Sequence, residues 1–564
     1  MKSVGLALAA AVAIVSPALA DPVPFYWQNP GQEYSAAIKK GGKIEQIGRT
    51  GVAAMHAVLI SDRKILIIDK AEWNEAQFDS GQSAFSVEYD IVNNDYRLLH
   101  IDTNTFCSAG GFLKNGTFIS TGGGERKGRT WKAEEGWQSI RFFTPCEDGE
   151  CQWSEFKTTS HMIGNRWYPT VEQMPEGDIM IMGGSTAGAR VNRDSINVPN
   201  IEYWPPRPEG LVEFPFLNET MPYNLYPIVY ILPDGNLFVF ANRHSIIYNY
   251  KTNEVVKRLP ELKGNPRSYP LTGASVMLPL DPKNNYNVEI IVCGGSQTVN
   301  GKLSPKADAD DTCGRINLGD ENPQWEMDTF VHPRLMPDAV FLADGTVMFL
   351  NGCQKGFAGY QSKNWVYVNT DPTFDLLIYD PKKPKGKRWK QDLATTDIAR
   401  MYHSVALSLP DGRVWVAGSN NNEPSNITAI YPTEFRVEYY SPPYLFKSST
   451  RPLISNVPKI LLYDQEYTIN LNLNYPLTSR HTAEPIIQVA LLRPGFSTHS
   501  MHMSQRYVIL RHQLPGDKQT LKIKAPPNAN IFPPGPATLH VLRDGVPAEG
   551  IFLHIADTED DVAV

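Results

Sequence analysis

The sequence predicts an all-β chain in two parts, a propeller of repeated hairpin blades followed by a β-sandwich. Three observations carry that prediction. A phrase made of a tight turn, about five residues rich in Val, Ile and Met, and a glycine pair or close variant returns seven times. Helical periodicity is scarce, because 44 prolines and 42 glycines are spread along the 564 residues and few stretches can sustain an apolar face of period 3.6. Beyond Pro442-Pro443 the phrase gives way to short alternating stretches joined by Pro/Gly turns, at the spacing of a sandwich.

Residues 1–20 open with Met1-Lys2, continue through an apolar run and end in Ala18-Leu19-Ala20. That is the pattern of a secretory signal peptide cleaved after Ala20, and it predicts a secreted, extracellular protein. The phrase then appears at 61–70, 113–123, 174–185, 232–242, 281–296, 342–352 and 409–419. Asp-Gly and related pairs supply the turn. A strand buried on both faces explains the short continuous apolar run, and the glycine pair lets neighbouring blades approach closely near the axis. Repeats at this period read as kelch-type blades, so residues 21–440 are expected to form a seven-bladed β-propeller, a closure that leaves no long exposed edge. Residues 441–564 are expected to form the sandwich, from strands at 466–473, 486–492, 506–510, 520–523, 537–543 and 550–555. The acidic run 557–561 reads as a solvated tail.

The formal net charge of −7, with no block of Lys or Arg, argues against a nucleic-acid or membrane-surface partner, and no later apolar run is long enough to span a bilayer. Secretion permits disulfides and makes the sequons at Asn115, Asn218 and Asn426 usable. Of the six cysteines, Cys146 and Cys151 bracket a polar turn and Cys293 and Cys313 flank a Gly/Asp/Lys-rich excursion, two plausible pairs. Cys107 and Cys353 are left over: either they pair with each other or one serves another purpose.

Adjacent residues Tyr402 and His403, in Arg400-Met401-Tyr402-His403-Ser404, place a phenol and an imidazole just ahead of a repeat hairpin. Together they suit copper(II) or iron better than zinc, calcium or magnesium. Cys107 and Tyr168 occupy the comparable place ahead of the second and third phrases, and a propeller gathers such positions at one end of its axis. His499, in Phe496-Ser497-Thr498-His499-Ser500-Met501-His502-Met503, offers a further imidazole on a loop between two sandwich strands. His502 is an alternative to it.

These residues resemble the secreted copper radical oxidases of the glyoxal oxidase type, relatives of galactose oxidase. The resemblance covers nearly the whole mature chain and rests on Arg166-Trp167-Tyr168, Met336-Pro337-Asp338-Ala339-Val340, Arg400 to Ser404 and Ser497-Thr498-His499-Ser500. It implies an immunoglobulin-like sandwich after the kelch propeller and one copper ion. It also implies a protein-derived radical cofactor, a thioether joining Cys107 to Tyr168. Tyr168, Tyr402, His403 and His499 would be the metal ligands, with Cys107, Tyr168 and Tyr402 catalytic. Cys353 is then a small buried apolar residue.

In the implied cycle Tyr402 takes the substrate hydroxyl proton, the Cys107–Tyr168 radical takes the carbon-bound hydrogen, copper(II) accepts an electron, and dioxygen leaves as hydrogen peroxide. Galactose oxidase sets a tryptophan over the cross-linked pair just after its double glycine. Here Thr186 stands at that place in Gly183-Gly184-Ser185-Thr186, which favours small aldehydes such as glyoxal or methylglyoxal unless Trp167 or Phe357 fills the space. Arg166 and Trp167 read as packing residues. The expected partners are therefore a small aldehyde and dioxygen, with peroxide-using enzymes downstream, and the protein itself is expected to be a monomer. The alternatives are a copper radical oxidase of primary alcohols and a non-catalytic kelch binding protein.

Overall fold

A computed structural model describes residues 41–128, 132–146, 148–188, 191–361, 366–447, 451–474 and 484–562. The leader assigned to residues 1–20 lies outside the described residues. Each recurring phrase supplies the second strand of an antiparallel sheet. These strands are Lys64–Ile68, Phe118–Thr121, Ile179–Met182, Leu237–Ala241, Glu289–Cys293, Val347–Leu350 and Val414–Gly418. The strand before each is buried at every residue: His56–Leu59, Ala109–Phe112, Thr170–Gln173, Ile228–Ile231, Ala274–Met277, Asp338–Phe341 and Ser404–Ser408. Burial on both faces is why these runs lack polar alternation.

The turn chemistry is visible at Leu409-Pro410-Asp411-Gly412-Arg413. Gly412 adopts φ +91° and its N–H donates to the Leu409 carbonyl at 3.0 Å, a conformation that suits a residue without Cβ. The glycine pairs work differently. A Cβ on Gly122 would stand 2.5 Å from the carbonyl oxygen of Arg166, on the approach to the next sheet.

First strands of successive sheets pack side by side: Ala109–Phe112 against Thr170–Gln173, that strand against Ile228–Ile231, Ala274–Met277 against Asp338–Phe341, that strand against Ser404–Ser408, and the last against His56–Leu59. Lys43–Arg49 pairs antiparallel with Arg436–Ser441, Lys43 opposite Ser441, and so completes the sheet begun by Ser404–Ser408. An early strand is thereby tied to a late one.

Four sheets carry the same buried strut. Arg166, Arg267, Arg334 and Arg400 are each at most 1% exposed. Each pairs with a carboxylate, on Glu202, Asp310, Asp375 and Glu438 respectively. Each also donates to a carbonyl near the end of the second strand, on Gly183, Gly294, Asn351 and Gly418. Buried guanidinium groups are tolerable only when paired and hydrogen-bonded in this way. For Arg166 this matches the expected packing role.

The C-terminal part has one sheet of Leu453–Ser455, Glu466–Asn472, Thr520–Lys524 and His512–Gln513 and another of Ile460–Leu462, Ile551–Ala556, Gly535–Arg543, Ile487–Arg493 and Arg506–Ile509. Its hairpin Phe496–Thr498 and Met501–Met503 does not stay with either. The hairpin pairs with His56–Leu59, Ala57 opposite Ser497, and also packs against the first strands Ala109–Phe112, Thr170–Gln173, Asp338–Phe341 and Ser404–Ser408. His499 therefore sits at the tip of a hairpin that is held among these first strands and is carried on the connection between the paired strands Ile487–Arg493 and Arg506–Ile509, as the sequence suggested.

Cys146–Cys151 and Cys293–Cys313 are disulfides, and the second joins directly opposed residues of neighbouring strands. Cys107 and Cys353 are free and buried, so they do not pair; the Cys353 thiol donates to the Lys355 carbonyl at 3.5 Å. Among the described residues no helix is long and apolar enough to cross a membrane.

Candidate metal centre

Cys107, Tyr168, His403 and His499 share a backbone feature that the sequence does not display: all have φ between +48° and +64°. Non-glycine residues rarely adopt this region, and it concentrates at functional sites. Cys107 and Tyr168 each stand two residues before a first strand, and so does Tyr402. Tyr226 and Met336 adopt the same region two residues before their own first strands, at φ +49° and +57°, so the turn also belongs to the repeat. Hydrogen bonds brace the turns: Tyr168 N–H donates to the Cys107 carbonyl at 3.1 Å, Ser419 N–H to that of His403 at 2.9 Å and Asn420 N–H to that of Tyr402 at 2.7 Å.

The five predicted side chains converge, each at most 5% exposed. His403 Nε2 and His499 Nε2 face each other at 3.0 Å, and Cys107 Sγ lies 3.3 Å from His499 Nε2. The Tyr402 ring stacks on His403 at 3.7 Å, and Tyr168 presents its edge to His499 at 6.2 Å between centroids. His502, the alternative ligand, is turned away and hydrogen-bonds Asp338 Oδ1 at 3.0 Å.

Burial pulls His403 and His499 well below the usual imidazole range, so both rings are neutral and keep a lone pair. Burial likewise pushes the phenols of Tyr168 and Tyr402 and the Cys107 thiol well above their usual values, keeping them protonated in the metal-free chain. Two neutral imidazoles and two phenols, with no carboxylate among them, form the N/O donor set that suits copper(II). Nitrogens held about 2 Å from one tetragonal ion at a right angle lie about 2.8 Å apart, close to the 3.0 Å between the facing nitrogens. These residues fit a copper ion.

Further residues border the centre that sequence reasoning missed. Tyr269 stacks on Tyr168 at 4.8 Å and its hydroxyl meets that of Tyr402 at 3.3 Å. Tyr226 packs against His499 at 4.9 Å, and Tyr360 edges Tyr402 at 5.3 Å under the buried Lys70, whose Nζ is 4.3 Å from the Tyr360 centroid. A signal for two of them was available: three of the five Tyr-Pro steps in the chain, at 168–169, 226–227 and 269–270, stand shortly before a first strand. Of the residues considered for the aromatic platform, Trp167 is the one that lies over Tyr168. Thr186 is exposed, whereas Trp167 stacks almost parallel on Tyr168, 5.8 Å between centroids at 10°. Phe357 packs with Leu271 and Val368.

The chain resembles known proteins in sequence and in fold. Residues 55–444 match the family model described as glyoxal oxidase N-terminus, and residues 451–555 match the galactose oxidase-like early set domain. An aldehyde oxidase GLOX of Vitis pseudoreticulata is 34% identical over 89% of this chain and 94% of its own length, and aldehyde oxidase GLOX1 of Arabidopsis thaliana is 34% identical over 90% and 83%. A galactose oxidase of Gibberella zeae is 23% identical over 68% of this chain and 53% of its own. A solved structure described as a fungal alcohol oxidase of the AA5 family in complex with copper superposes with a TM-score of 0.70, at 19% identity, over 92% of this chain and all of that one. The all-β fold is therefore galactose oxidase-like.

Proposed function

The chain belongs to the glyoxal oxidase family of copper radical oxidases, and from that membership we propose that it oxidises small aldehydes of the glyoxal and methylglyoxal type to carboxylic acids. The hydrated aldehyde is the reacting form: RCH(OH)2 + O2 gives RCOOH + H2O2, two electrons and two protons passing from the diol to dioxygen. The observation that carries this reading is the pair of neutral imidazole nitrogens 3.0 Å apart, with the Cys107 thiol 3.3 Å from one of them.

His403 Nε2, His499 Nε2 and the oxygens of Tyr168 and Tyr402 would hold one copper ion. Bound there, the ion would supply one one-electron step, and Tyr168 carrying a thioether to Cys107, a bond whose formation passes two hydrogens to dioxygen, would supply the other. Tyr402 takes the proton of a substrate hydroxyl, and the Tyr168 oxygen takes the carbon-bound hydrogen. Deep burial of all five side chains shields these transfers from bulk water.

On the same reading the sheets of residues 21–440 are seven blades of one propeller, residues 441–564 are the sandwich that lends His499, and the protein is secreted after loss of residues 1–20. The aldehyde preference is supported by the two relatives named aldehyde oxidase, which are more similar to this chain than the galactose oxidase. The Trp167 ring over Tyr168 favours a second reading, oxidation of primary alcohols, because it is a flat platform at the candidate radical.

A peroxide-release assay on copper-loaded protein separates the two. Methylglyoxal and glyoxal are expected to outpace galactose and simple primary alcohols, and clear preference for alcohols overturns the aldehyde reading. A peptide mass map must show Cys107 joined to Tyr168 by a link that survives reduction.

A further inference from the structure

Which nitrogen of His499 faces the metal position is decided by residues far from it in sequence. The tip hairpin pairs with His56–Leu59 so that Thr498 stands opposite His56. His56 is fully buried, and its Nε2 lies 3.2 Å from the carbonyl oxygen of Thr105. A carbonyl only accepts, so Nε2 of His56 carries the hydrogen and Nδ1 keeps the lone pair. The Ser108 hydroxyl is 3.5 Å from the same Nε2, too long to compete.

Thr498 Oγ1 sits between two imidazoles, 2.7 Å from His56 Nδ1 and 2.6 Å from His499 Nδ1. A hydroxyl has one hydrogen. Given to His56 Nδ1, it obliges Thr498 to accept from His499, so His499 is protonated on Nδ1 and turns its Nε2 lone pair toward His403 and Cys107. We propose that His56, acting through Thr498, holds His499 in the one tautomer that presents a lone pair to the metal. The opposite polarity would leave a hydrogen on His499 Nε2, where the ion has to bind.

Both His56 and Thr498 are positioning residues. Burial pulls His56 down to about 3, so the relay stays neutral and keeps its direction. His403 has no such support, since its Nδ1 lacks a hydrogen-bond partner among the described residues. In the metal-free chain its Nε2–H is then free to donate to His499 Nε2. Outer partners of this kind fix ligand tautomers in metal sites generally.

The inference rests on the reading of His499 as a metal ligand, and its test separates the two. Nitrogen-15 NMR of metal-free protein labelled at its 12 histidines reports the tautomer before any copper is added. Wild type should show His499 as Nδ1–H. His56→Phe removes the acceptor of the Thr498 hydroxyl, which can then swing its hydrogen to His499 Nδ1; the Nε2–H form should appear and copper affinity should fall about 10- to 100-fold. His56→Gln, whose amide can donate to Thr105 and accept from Thr498, should restore both. Thr498→Val, close to isosteric, carries the same expectation as His56→Phe if that variant folds poorly.

An Nε2–H tautomer in wild type, an unchanged tautomer in both disruptive variants, or equal loss in His56→Gln and His56→Phe overturns the relay. A wild type that shows the predicted tautomer but binds no copper overturns the reading of the centre and leaves the relay standing.

Discussion

Replacing Arg400 by methionine tests whether the buried struts set the position of the site residues that follow them. Arg400 is 1% exposed; its guanidinium donates to Glu438 Oε2 at 2.8 Å, to the Gly418 carbonyl at 2.9 Å and to the Arg436 carbonyl at 3.0 Å. Methionine fills much of the volume but leaves a buried carboxylate with, among the described residues, only the Thr396 hydroxyl, 2.6 Å away, and two carbonyls without this donor. Breaking a buried pair from one side costs about 3–5 kcal/mol. Removing the stranded charge as well, with Glu438→Gln, should return part of that. The double variant is therefore expected to be more stable than Arg400→Met alone, with a coupling of about 2–3 kcal/mol. Urea unfolding of the copper-free proteins measures all four corners of the cycle without ligand stabilisation. Because Tyr402 and His403 stand only two and three residues further on, Arg400→Met should also weaken copper binding about tenfold. Additivity within about 0.5 kcal/mol would refute the strut argument.

Cys107→Ser should remove the reduction-resistant link to Tyr168 in the mass map and leave copper-loaded protein that releases no peroxide above background; retained turnover would rule out a thioether radical. Burial keeps the Tyr168 and Tyr402 phenols protonated in the metal-free chain, so copper binding must expel protons, and affinity should rise about tenfold per pH unit for each proton released. A competition titration giving a flat profile across neutral pH would contradict this. His540 is buried and pulled from 6.5 down to about 3. The unfolded chain therefore takes up a proton below pH 6.5 that the folded chain refuses, and this residue removes about 1.4 kcal/mol of stability per pH unit as pH falls from 6.5 toward 3. His540→Leu should gain on wild type by that slope in urea unfolding, and parallel curves would refute it.

Much of the molecule follows from local rules. An Asp-Gly turn, a short apolar run and a glycine pair act over a dozen residues, so the hairpins around Lys64–Ile68 through Val414–Gly418 could be read directly from the chain. Tyr402 and His403 were legible because they are adjacent, and Cys107 and Tyr168 because each repeats that placement ahead of a hairpin. The Cys146–Cys151 link closes a short polar turn, which spacing alone suggests.

Other features depend on which strands meet, and no local pattern encodes that. His499 reaches the centre because Thr498 pairs with His56, 442 residues earlier, a register chosen by packing among first strands from five sheets. The same register decides the hydrogen-bond direction that exposes one imidazole nitrogen. Left-handed φ at Cys107, Tyr168, His403 and His499 costs local strain that only the surrounding hydrogen bonds and struts sustain, so it is invisible in residue type. Trp167, not Thr186, covers Tyr168 because ring packing is settled by the space left between neighbouring sheets. Residue chemistry determined the donor set; the assembled sheets decided its geometry, since distances between segments far apart in sequence exist only once the chain has folded.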